Sequence, residues 1–223
     1  MEEQEQDIFK KFDVLKNLKE GWKLKKYHDL QNNKKAVLIA VKQNGLALQY
    51  ASDELRANKE VVMEAVKDNG VALCYASDEL RNDKEVVMEA VKENGWALDF
   101  SSAELKNDKN FIIEVVKQKG KALEYANERL KANKEVVMEA VKQNGLALDF
   151  SSAELRCDKE VVIEAVKGNS RALCSASKEL RNDKEFMLEA IKINWMCLDY
   201  ISDELKNDKE FISDVAKIIN NLF

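Results

Sequence analysis

The residue types that carry chemistry are sparse in this chain and badly placed for it. Its single histidine, His28, has no partnered nucleophile, so a nucleophile-and-base mechanism has no pair to use. Carboxylates do recur at one spacing, in Glu64, Glu89, Glu114, Glu139 and Glu164. A lysine follows each by three positions and would share its helix face, so solvated ion pairs explain the series better than paired catalytic carboxylates. No glycine-rich loop suited to cradling phosphate occurs. Cys74, Cys157, Cys174 and Cys197 never form a Cys-x-x-Cys motif, which argues against both a disulfide framework and a zinc site. Cys74 and Cys174 share a sequence position with Gln49, Asp99, Glu124, Asp149 and Asp199, and are expected at the surface as free thiols in a reducing compartment. No catalytic, metal-binding or cofactor-binding residue is assigned; the chain is expected not to be an enzyme and to need no cofactor.

Binding is the other use of repeated side chains. Lysines form one column at Lys42, Lys67, Lys92, Lys117, Lys142, Lys167, Lys192 and Lys217, and a second basic series runs from Arg56 and Lys59 to Arg181 and Lys184. These columns could follow a phosphate backbone, but Asp and Glu interleave them and the formal charge is -5, so nucleic acid is not the expected ligand. Tyr50, Tyr75, Phe100, Tyr125, Phe150 and Tyr200 share one position and read as a stacked core ladder rather than a ligand groove, because they sit inside an apolar pattern. The first residues, Met1 to Glu5, show no basic region leading into an apolar one, and no apolar run approaches a membrane span.

What must position these residues is a repeat. A 25-residue segment recurs without insertion from Asn33 to Asn207, seven times. A period of this kind means stacked units that cover one another's apolar faces, since one unit alone buries too little to fold. Each unit opens on a short polar residue (Asn33, Asn58, Asp83, Asp108, Asn133, Asp158, Asp183, Asp208) suited to capping a helix. In the helix that follows, Val61, Val62, Ala65 and Val66 make an apolar stripe opposite Glu60, Glu64 and Lys67. Gly45, Gly70, Gly95, Gly120 and Gly145 then read as helix stops with positive φ. The remaining segment places Ala47, Leu48, Ala51 and Leu55 on one helical face, which favours a second helix. The serine series Ser52, Ser77, Ser102 leaves a shorter helix plus one tight turn as the alternative.

The expected architecture is all-α, a solenoid or superhelix: residues 1–32 a divergent N-terminal cap, 33–207 seven repeats, and 208–223 a C-terminal half repeat, in one continuous domain. The apolar finish, Ile218-Ile219 to Leu222-Phe223, is expected to fold back on the last unit or to meet another chain.

Units such as Asn82 to Leu98, with their joined Ala-Val-Lys-x-Asn-Gly-x-Ala-Leu pattern, closely resemble the repeats of the family known as domain of unknown function 4116, over about residues 30–217. The resemblance implies a helical-repeat protein of the kind found in bacteria, protists and large viruses, some of them host-associated, and it supplies no catalytic residue. The implied location is cytoplasmic, or the host cytosol if such an organism delivers the protein. Departures from the pattern are Lys119 for Asn, Ser170 and Trp195 for Gly, and Ser175 for an aromatic.

Variation collects where the two segments of a unit meet, at Leu46, Val71, Trp96, Lys121, Leu146, Arg171 and Met196, and just before the glycine, at Gln43, Asp68, Glu93, Gln118, Gln143, Gly168 and Ile193. Positions that the fold leaves free are where a repeat protein places specificity. Another protein is therefore the expected partner, with Trp96, Arg171, Trp195 and Met196 as the expected partner-binding residues. The alternatives are a module that stacks end to end on its own copies and, more weakly, a binder of RNA or another anionic polymer. Around Ser175 two readings compete: Trp195 and its neighbours fill the space of the missing ring while Gly168 takes over the turn, or Trp195 stands exposed as an anchor.

Overall fold

The computed structural model describes residues 30–222, and every regular element among them is helical. The expected cap over 1–32, with Trp22 and His28, falls almost wholly outside the described residues. Each repeat contributes three pieces rather than two. The unit opened by Asn58 has a ten-residue α-helix, Lys59–Asp68, a six-residue 3₁₀ segment, Gly70–Tyr75, and a one-turn helix, Asp78–Arg81.

Local chemistry explains each boundary. Asn58 holds an extended backbone and its side chain accepts from the Val61 amide at 3.3 Å, which satisfies an otherwise orphan donor at the helix start. Asn69, at φ -149 and ψ 107, stops that helix, and its Oδ1 accepts from the Val71 amide at 3.0 Å, so one asparagine both ends the long helix and caps the 3₁₀ segment. Ser77 is extended again, and its Oγ accepts from the Leu80 amide at 3.4 Å. The expected second helix is thus cut by Ser77 and its equivalents, and the nearer description was the helix-plus-3₁₀ alternative extended by one α-turn.

The glycine expectation is also corrected. The five glycines open the 3₁₀ segments, and Gly45, Gly70, Gly120 and Gly145 hold no left-handed φ. The bend belongs to the asparagine. Glycine is needed instead for space: a Cβ on Gly70 would lie 2.2 Å from the Ala90 carbonyl oxygen of the next unit, closer than any packing allows. Where there is no side chain, a neighbour's helix can seat directly on the backbone. Gly168 does not take over this role, since it ends the helix Lys159–Gly168 with only the Gly145 nitrogen near its absent Cβ, at 3.7 Å.

Within each compact unit the core is a stack of similar layers. Val61, Val62, Ala65 and Val66 are fully buried, as are Ala72 and Leu73 of the same repeat and their counterparts in the next, Val86, Val87, Ala90 and Val91. Long helix packs on long helix and 3₁₀ segment on 3₁₀ segment of the following repeat. The short helices add a backbone link, with the Ser77 amide donating to the Arg56 carbonyl at 3.0 Å and Ser177 to Arg156 at 3.0 Å. By contact the described chain forms two compact units, one ending at Lys106 and one beginning at Asn107.

The basic columns proved to be largely paired, within a repeat or with the next one. Lys59 bridges to Asp83 and Glu85 of the next repeat, each at 2.7 Å, and Lys134 does the same to Asp158 at 2.8 Å and Glu160 at 2.7 Å. Asp183 shows the consequence. It accepts from Lys159 at 2.6 Å and caps the Phe186 amide at 3.0 Å, and these two donors, the lysine first, hold its carboxyl below the usual range. A depressed folded-state pKa stabilises the fold above the ordinary aspartate pKa, and that contribution is lost as pH falls through the lowered value. Asp183→Asn keeps the cap and loses the charge. Its deficit relative to wild type in urea unfolding should therefore be present at pH 7 and shrink in acid; an equal deficit at both would show that the ion pair adds nothing.

Candidate protein-interaction surface

In a six-residue 3₁₀ segment, three residues per turn bring Gly70, Leu73 and Ala76 onto the covered row and leave positions 71 and 74 facing outward. That row explains a second correction. Tyr50, Tyr75, Phe100, Tyr125, Phe150 and Tyr200 are partly exposed, not a core ladder; each stands near the end of its 3₁₀ segment, off the row of Gly70, Leu73 and Ala76 and its equivalents.

In each compact unit the variable positions at the start of the 3₁₀ segments lie on an outward strip. Leu46 and Val71 are partly exposed in the first unit and Trp96 is 46% exposed there, its ring tilted against Phe100 with centroids 5.2 Å apart. In the second unit Lys121 and Arg171 are exposed, Leu146 is partly so, and Met196 is 50% exposed. Trp195, at a glycine position, is 53% exposed rather than folded into the space left by Ser175. Ser175 instead donates its hydroxyl to Asp149 of the preceding repeat. Trp96 belongs to one unit, while Arg171, Trp195 and Met196 belong to the other, on two 3₁₀ segments that pack side by side, Ser170–Cys174 and Trp195–Tyr200.

The second variable series, before the glycine, is partly structural. Asp68 accepts from the Gly45 amide at 2.6 Å and Gln143 from the Gly120 amide at 2.7 Å, each reaching back one repeat. Sequence reasoning missed this, since the donor lies in another unit. Gly168 and Ile193 have no side chain able to accept in this way, and Ile193 is 40% exposed.

The titratable groups of the described residues can be placed one by one. Glu64 and Glu139 are held below the ordinary carboxylate range by Lys67 and Lys142 and so stay ionised at neutral pH. Burial pushes the Cys197 thiol up to about 12, which keeps it protonated. Cys174 is exposed, as expected, whereas Cys74 is only partly so. A cleft of about 400 Å³ is lined by Lys178, Arg181, Tyr200, Asp203 and Glu204 among others, with both signs of charge. Among the described residues no cluster of His, Cys, Asp and Glu could hold a metal ion, and no helix is long and apolar enough to cross a membrane.

Tandem helical repeats of 25 residues define an all-α solenoid. The chain belongs to the family described as Domain of unknown function (DUF4116), whose model matches residues 14–56, 58–106, 108–156, 133–181, 158–206 and 183–222. Successive matches starting at 108, 133, 158 and 183 step by one 25-residue unit, so the family's model spans about two of them. No curated protein and no solved structure matches the chain.

Proposed function

We propose that the chain is a non-enzymatic helical-repeat scaffold that binds another protein through the outward strip at the start of its 3₁₀ segments. One observation carries this reading. Of the five exposed large apolar residues among those described, four (Trp96, Ile193, Trp195 and Met196) lie where a long helix passes into a 3₁₀ segment. Burial in the stack does not require them, and exposed tryptophan and methionine beside arginine have the composition of interface centres. Capture with immobilised full chain tests it: Trp195→Ala and Trp96→Ala should each weaken retention of bound protein while leaving the melting temperature nearly unchanged. Unchanged capture, or a large stability loss without it, would reject the strip as the binding face.

A second reading, association between copies of the chain, has one observation in its favour. Ile212 in the helix Lys209–Leu222 is 48% exposed, whereas its counterparts Val137, Val162 and Met187 are fully buried. A single monomeric mass from micromolar concentration upward in sedimentation would remove it.

A further inference from the structure

We propose that Arg171, Trp195, Met196 and Ile193 form a composite subsite for an acidic amphipathic helix of a partner protein, an Asp or Glu side chain pairing with Arg171 and a large apolar side chain seating on Trp195 and Met196. The inference rests on the reading that this strip binds protein, and it adds the partner's chemistry.

Charge carries the first part. Many basic side chains of the same unit are answered internally, Lys159 by Asp183 at 2.6 Å, Lys167 by Glu164 at 2.7 Å and Lys184 by Asp208 at 2.5 Å, whereas Lys121 and Lys192 share with Arg171 the lack of an ion pair to any described residue. Arg171 is exposed, and no ion pair joins it to any described residue. Its own segment, Ser170–Cys174, contains no acid, because Cys174 stands where other repeats have Glu124, Asp149 and Asp199. Asp149 is engaged by the Ser175 hydroxyl, and Asp199 lies a 3₁₀ turn beyond Met196. A planar guanidinium left in this state is suited to a carboxylate, which it holds through two parallel hydrogen bonds. A polyanion would meet Asp149 and Asp199 as well, so a single carboxylate fits better than a phosphate backbone.

Geometry carries the second part. Arg171 and Met196 occupy the same position in adjacent repeats, and packed helical segments lie about 8–10 Å apart. Residues seven apart on a partner helix are separated by about 10.5 Å along one face, which matches that spacing. Trp195 and Ile193, 53% and 40% exposed, widen the apolar end.

The test is selection of a random 16-residue peptide library displayed on phage against the immobilised full chain, followed by affinities of the selected peptides as free, amidated synthetic peptides. Enrichment of Asp or Glu with Leu, Phe or Trp seven residues away is expected. Arg171→Glu should weaken those peptides at least about tenfold, and a Lys replacing the peptide's acid should restore binding to that variant. Basic or neutral peptides that Trp195→Ala abolishes would overturn the acidic partner and leave the strip as a protein-binding face. Peptides indifferent to both variants, or no enrichment at all, would overturn this proposal, and indifference would overturn the strip with it. Competition by single-stranded poly(U) that Arg171→Glu removes would replace the peptide with a polyanion.

Discussion

Alanine at Gly145 destabilises the second unit by about 2–3 kcal/mol, although it adds one methyl group and relieves glycine's conformational freedom. The added Cβ would lie 2.2 Å from the Ala165 carbonyl oxygen and 3.1 Å from its carbon, both backbone atoms of the neighbouring long helix. No side chain can rotate away, so the two repeats must separate and every buried contact between them weakens. Gly168 is the internal control. It sits at the end of the helix Lys159–Gly168 with nothing nearer than 3.7 Å to its absent Cβ, so alanine there should stabilise by about 0.5–1 kcal/mol through helix propensity. Urea unfolding of the two single variants gives opposite signs if close approach is the reason for glycine. Equal small effects would show that the repeat spacing adjusts freely.

Phe186→Ala should cost more, about 3–5 kcal/mol. The ring is 1% exposed in the helix Lys184–Ile193, at the position held by Val136 and Val161 in preceding repeats. Removing it leaves a void bounded by the next long helix, and rigid layers relax only partly. Phe186→Val is expected to be milder, because four other repeats close around valine at this place, in Val61, Val86, Val136 and Val161. Thermal unfolding of both variants checks the order. An alanine variant within about 1 kcal/mol of wild type would mean that the layers collapse to fill the gap, and that their separation is softer than close packing implies.

Much of this molecule is written in its period. Val61, Val62, Ala65 and Val66 declare a buried stripe, Asn58 and Ser77 declare caps, and the lysine three places after Glu64 declares an ion pair, because all of these act within a turn or two of chain. The exposed positions just after the glycine were legible for a different reason: they vary while their neighbours repeat, and Trp96, Arg171 and Met196 stand exposed there, with Trp195 exposed at the glycine position beside Met196.

What needed tertiary structure is whatever one repeat does to the next. The spacing of Gly70 from Asn69 suggested a turn, yet the glycine answers to the Ala90 carbonyl twenty residues on. Asp68 looked like a free surface position until it met the Gly45 amide. The aromatic series looked buried inside an apolar pattern, yet the stacked repeats leave it partly exposed. Sequence patterns report the hydrogen bonds and faces of a single helix, which are local. Distances between helices, and hence the need for an absent Cβ or a side chain reaching back, arise only when the repeats are stacked.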